Sequence, residues 1–252
     1  MLIFRVANRR IVRLINVALF CGLGHAAAAR ADIVVDFSED AGGEVAGPLS
    51  GLAARATFDV AGTHLSVLLE NTSTGVPRGF DVSDSLLVSL GMNLPGADML
   101  NGNAAVIGPG SLGLGSWSKR VAGDSVGEQW LWTNDYGGDL LESFRNVIST
   151  SEGEGGGKTH RFDGGTGTVG GPFGGIAAKP PLIGIPKKQS AVSNSIRFDL
   201  TLNHGLTEKQ LQSAAEHAIV EFGSDARYLQ VPEPPSAAIA GVGVLLLRRR
   251  RL

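Results

Sequence analysis

The chain reads as all-β: an antiparallel β-sandwich or jelly roll with glycine-rich loops. Three observations predict it. Apolar and polar residues alternate with period two in Ala54–Val60, Leu65–Leu69 and Ser195–Leu202. Glycine is abundant, at 36 of 252 residues, and much of it lies between such segments. No long helix-period segment separates the strands.

Taken in order, Asp32–Phe37 is β-rich and predicts the first strand. Ser38–Gly51 is acidic and glycine-rich, hence a loop. Ala54, Ala56, Phe58 and Val60 then alternate with Arg55, Thr57 and Asp59. After Ala61-Gly62-Thr63, Leu65, Val67 and Leu69 alternate with His64, Ser66 and Glu70. Two such runs across a short glycine-containing turn predict a hairpin with one core face and one wet face. Asn71-Thr72-Ser73-Thr74-Gly75 ends it with turn residues. Val82–Leu90 and Ala104–Ile107 are further apolar strand segments. In Trp130-Leu131-Trp132 the two indoles share one side of a strand. Asp139–Phe144 fits one helical turn.

Ser149–Gly175 holds eleven glycines and few large apolar residues, so a long surface loop is expected there. In Ser195–Leu202, Ile196, Phe198, Leu200 and Leu202 face one way. Thr207 and Gln210 have capping-box spacing, which predicts a short helix over Glu208–Ala215. His217–Phe222 reads as the last strand, with Ala218, Val220 and Phe222 on one face.

The two ends differ from this body. Arg5, Arg9, Arg10 and Arg13 precede the apolar Leu14–Leu23, and Ala29-Arg30-Ala31 is an A-x-A cleavage site before Asp32. That is the pattern of a secretory signal peptide over 1–31, with Ala29 and Ala31 guiding signal peptidase. At the other end, Val231-Pro232-Glu233-Pro234-Pro235-Ser236 precedes the apolar Ala237–Leu247, then Arg248, Arg249, Arg250 and Arg251. Eleven apolar residues span roughly 16 Å as a helix, short of a hydrocarbon core of about 30 Å. The arginines hold that end on the cytoplasmic side.

This tripartite ending, 231–252, resembles the PEP-CTERM sorting signal of bacterial proteins handled by an exosortase. The resemblance implies transient anchoring in the inner membrane by a short transmembrane run. It also implies that an exosortase reads Val231, Pro232, Glu233 and Pro234, and that Arg248–Arg251 act as the stop. The body resembles an exosortase-dependent surface protein through Ala56-Thr57-Phe58, Leu65–Leu69, Asn71-Thr72-Ser73, the Trp130 region, the glycine-rich stretch and Phe222-Gly223-Ser224. This implies an extracellular β-rich domain over 32–230, set in exopolysaccharide or biofilm, at the cell surface or released.

Composition bounds the partners. Cys21 is the only cysteine and leaves with the signal, so the mature chain has no disulfide. Nine of the 22 basic residues lie in 1–31 and 248–251, leaving 13 against 24 acidic ones and a net −11 over 32–247. Such a charge argues against nucleic acid.

Several motifs have bland readings. Gly108-Pro109-Gly110-Ser111-Leu112-Gly113 fits G-x-G-x-x-G, but no helix follows, so it reads as a strand-ending turn. Gly153–Thr159 resembles a P-loop but lacks its first glycine, where Glu152 stands, and reads as loop. Asn134–Asp139 clusters oxygen ligands that suit calcium, and Trp117, Trp130 and Trp132 suit a sugar platform. His64, His160, His204 and His217 lack metal-ligand spacing. No serine stands in a recognisable nucleophile context.

The leading expectation is a non-enzymatic exported protein without cofactor or metal. Its partners would be signal peptidase and exosortase during export, and extracellular polysaccharide afterwards. The alternatives are a carbohydrate-binding module, calcium-assisted, and a secreted polysaccharide hydrolase whose carboxylate pair only space would reveal.

Overall fold

Alternation decides which face of each strand is buried, and the strands then pair across long stretches of sequence. The computed structural model describes residues 32–39, 49–135, 140–151, 159–165, 169, 171–223 and 227–232. The strands are β1 (Ile33–Ser38), β2 (Ala53–Ala61), β3 (His64–Asn71), β4 (Leu87–Met92), β5 (Met99–Ile107), β6 (Leu112–Gly115) and β7 (Leu131–Thr133). They continue as β8 (Asn146–Ser149), β9 (His160–Arg161), β10 (Ile176–Ala177), β11 (Ser190–Ser193), β12 (Ser195–Leu202), β13 (Ile219–Phe222) and β14 (Arg227–Gln230). One α-helix, α1 (Glu208–Glu216), is present among the described residues.

These strands form a single 14-stranded sheet, ordered β5-β12-β3-β2-β1-β14-β13-β4-β10-β11-β6, with β8, β7 and β9 branching from β4. Pairing is antiparallel except between β10 and β11. The all-β, antiparallel expectation holds, and the sheet is nearly closed and barrel-like. Two joins close it. The first is a bent strand: β11 pairs with β6 and β10, then continues through Asn194 into β12, which pairs with β5 and β3. Asn194 takes the left-handed conformation at φ 76°, which Asn tolerates better than most side chains. The second join is a single bridge between β1 and β14, Ser38 to Gln230.

The predicted hairpin is β2–β3, with the turn at Gly62-Thr63 and Phe58 opposite Val67. Its inward residues, with Ile196, Phe198 and Leu200 of β12, share one core with Leu90, Val220 and Phe222 of the opposite half. Both indoles of Trp130 and Trp132 enter that core, as the shared-side reading requires. Trp130 meets Phe198 edge-on at 4.8 Å between ring centroids.

Some expectations shift. Val82–Leu90 begins with a 3-10 turn at Ser83–Ser85, and the strand starts only at Leu87. Asp81 Oδ1 accepts from the Ser83 and Asp84 N–H groups, offering the backbone a local alternative to the ladder. Ser149–Gly175 is not wholly a surface loop. Phe162 is buried against Phe198, and the Gly174 carbonyl accepts the Trp130 indole N–H at 3.1 Å. His217 caps α1 rather than opening a strand, and β14 follows β13 as the last strand. The capping box at Thr207 and Gln210 forms as predicted.

Asn71 fastens the bent strand to the rest. Its buried amide donates to the Ile176 carbonyl at 2.7 Å and the Ser85 carbonyl at 3.2 Å, and its oxygen accepts from Ser73 N–H. The backbone N–H of Asn71 reaches Asn194 O, and Asn194 N–H reaches Ala177 O. Asn71→Ala strands two buried carbonyls, and each lost partner costs about 1–3 kcal/mol. Urea unfolding followed by tryptophan fluorescence should show that loss, while Thr72→Ala, at an exposed position, stays within about 0.5 kcal/mol of wild type.

Candidate functional site: the seam where the chain leaves the sheet

The second join is incomplete. All six residues of β1 pair with β2, but only Ser38 bridges to β14. Beyond Gln230 the departing Val231-Pro232 parts from β1, and a groove of about 970 Å³ opens between them. One wall is β1 from Asp32 to Asp36. The other is one face of α1, where Glu208, Gln212 and Glu216 recur at helical spacing. Leu211, Ala214 and Ala215 on the opposite face of α1 enter the core, which fixes the helix beside the seam.

The rim is acidic. Asp32, Asp36, Glu208 and Glu216 are exposed. Asp36 pairs with Arg55 across the strand at 2.8 Å, and that bond holds the guanidinium above its ordinary pKa. Glu216 accepts from Gln212, and His217 Nδ1 lies 2.8 Å from the Ser213 carbonyl.

Two of the residues expected to be read during sorting are placed here. Val231 is half-buried against the core, and Pro232 is exposed at the groove. Glu233, Pro234, Arg248, Arg249, Arg250 and Arg251 lie outside the described residues, as do Ala29 and Ala31. So do Tyr136–Asp139 and Glu152–Lys158. No helix among the described residues is long and apolar enough to cross a membrane.

The tempting motifs resolve into structure. Gly108 makes room for β12, because a Cβ there would meet Ser195 Oγ at 2.2 Å. Gly110 turns the chain at φ 68°. The G-x-G-x-x-G is thus the outer strand's own bend against the bent strand. Asn134 bonds the backbone of Met99 and the Asn146 side chain through its amide. Asp98 binds Arg145 and Asn203. Among the described residues no group of three His, Cys, Asp or Glu could hold a metal.

The indoles do not form an open platform. Trp130 is fully buried. Trp132 lies between His160, stacked at 4.5 Å, and Gly102, where a Cβ would meet its ring at 2.5 Å. Trp117 is half-buried, with the Arg120 guanidinium 4.4 Å from its ring centroid. Arg120 is held in turn by Glu128 and the Ser125 carbonyl, both at 2.6 Å.

One buried polar chain escaped the sequence reading. On the side of β13 away from the main core, Ser89 Oγ donates to Glu221 Oε2 at 2.7 Å. Ser89 has then spent its only proton, so Ser149 donates to Ser89 at 2.9 Å and Ser151 to Ser149 at 3.1 Å. Glu221, Ser89 and Ser149 are all buried. Neither Ser89 nor Ser149 bonds a histidine among the described residues. The chain satisfies a buried carboxyl group, which is otherwise costly. Only the spacing of Ser89, Ser149 and Glu221 opposite one another in the ladder could have revealed it, and pairing is not readable from sequence.

Ser89→Ala removes one donor from Glu221 and one acceptor from Ser149. The expected loss is about 1–3 kcal/mol in urea unfolding. A double Ser89→Ala/Glu221→Leu variant should lose less than the two single changes together, since the hydrogen bond the pair shares is lost only once.

Comparison with protein-family models, curated proteins and solved structures gives no match to this chain.

Proposed function

We propose that the chain is an exported, non-enzymatic surface or extracellular-matrix protein whose two ends are addresses and whose working part is residues 32–230. On this reading 1–31 is a signal peptide removed after Ala31. The segment 231–252 resembles a PEP-CTERM signal, held in the inner membrane as a short helix until an exosortase cuts near Pro232-Glu233-Pro234. The proposed setting, exopolysaccharide or biofilm, comes from that resemblance. The body is proposed to be a barrel flattened into a sandwich, because the inward side chains of β2, β3 and β12 share one core cluster with those of β4 and β13.

The observation that carries the proposal is where the fold stops. Among the described residues, which end at Pro232, the ladder ends at Gln230 and the last residue packed on the core is Val231. A cut beyond Pro232 therefore removes none of the described core side chains or strands. On the amino side, the first strand among the described residues starts at Ile33, with only Asp32 between it and the proposed cleavage site. The acidic body, net −11 over 32–247, suits a soluble exported domain once both basic ends are gone.

Intact mass and terminal peptides, taken separately from membrane and medium, test the proposal. A mature chain running from Asp32 to near the Pro-Glu-Pro supports it. Mature membrane-bound protein that retains Arg248–Leu252 sinks it. In refolding experiments, a chain ending at Pro232 should match the stability of the longer one within about 0.5 kcal/mol. A chain ending at Phe222, which loses β14, should not fold.

A further inference from the structure

We propose that the open seam beside β1 accepts an extended, basic polypeptide segment from a partner protein as an added strand. The first ground is the unfilled edge. From Ile33 to Phe37, β1 pairs with β2 and has no strand on its other side among the described residues. Five residues of free edge run about 17 Å. An exposed row of N–H and C=O groups is a template for a further strand, and backbone bonds would supply the grip. Val34, beside this edge, is 52% exposed, so apolar surface is also left to cover.

The second ground is charge. Asp32 and Asp36 lie on one wall, Glu208 and Glu216 on the other. Arg55 offsets only Asp36. Of the side chains lining the groove, His217 alone can carry positive charge, and a chain that starts at Asp32 adds its α-amino group to the same rim. A segment with lysine or arginine on alternate residues would meet this rim favourably.

Two other occupants fit worse. The chain's own tail follows β14 directly, but Pro232, Pro234 and Pro235 carry no N–H and cannot supply a ladder. Glu233 would add an acid to an acidic rim. A second copy pairing antiparallel through β1, centred on Val34, would set Asp32 of each chain against Asp36 of the other. Prolines disfavour the tail as the added strand, and the carboxylates select what enters.

The test uses the protein running from Asp32 and bearing its natural tail. The probe is an end-blocked octapeptide of alternating lysine and threonine, titrated while the backbone amides are followed by NMR. Expected is saturable one-to-one binding, with shifts confined to Ile33–Phe37, α1 and Val231. Glu208→Lys/Glu216→Lys should weaken it at least about tenfold, a change of about 1.4 kcal/mol. The same peptide methylated on alternate amide nitrogens should not bind. Neither should one of glutamate and threonine.

The proposal is overturned if the lysine peptide fails to bind, or shifts residues elsewhere. Equal binding of the methylated peptide overturns it too, since charge alone would then suffice. Binding that appears only after the tail is removed assigns the seam to the tail. Concentration-dependent self-association that protects the β1 amides assigns it to a second copy. Either result overturns a partner segment.

Discussion

The structure depends on one strand serving both halves of the sheet. Residues 190–202 pair with β6 and β10 before Asn194, and with β3 and β5 after it. The turn between the two directions occupies a single residue with positive φ. A bend of this kind leaves backbone groups short of partners unless something nearby supplies them. Ser111 does so, accepting from the Ser195 N–H and sharing a hydrogen bond with its hydroxyl at 2.9 Å. Gly108 lets the outer strand come close enough for that exchange. Asn71 holds the same bend from the other side. With Cys21 its only cysteine, the chain can form no internal disulfide, and such bonds and the core they enclose hold the sheet together.

Polar burial follows a consistent rule here. Asn71, Asn146 and Ser111 each bond groups far away in sequence, and Glu221 is reached through serines from β4 and β8. These groups add specificity rather than bulk stability, since a misregistered strand would leave them unpaired in an apolar setting. The glycine-rich composition has a related use at Gly102 and Gly108, where backbone must approach another side chain.

What was legible in the sequence was local. The β2–β3 hairpin, β12 and the inward face of β13 were readable because one face of each is wet or differently packed, which writes a period of two. The capping box placed α1 to within a residue. β14 escaped because Tyr228 and Leu229 are both buried, and a strand buried on both faces carries no alternation. β8 escaped for the same reason, being buried at all four positions. Phe162 escaped because glycines surround it, although its ring fills space beside Phe198. The seam could not be read at all. It arises from a missing ladder between residues nearly two hundred apart, and only the prolines after Gln230 hint at why that ladder stops.

The position of β14 also sets a timetable. It fills the place between β1 and β13, so the first and last strands of the body are neighbours. The ring therefore stays open until nearly the whole chain is available, and no earlier length of it can bury both halves of the core. Long-range closure of this kind is slow to form, because loop entropy must be spent before the contacts form. A chain threaded across a membrane amino end first would emerge with its sheet unfinished. It would become a closed body only as its final strand arrived, when little but the tail remained behind.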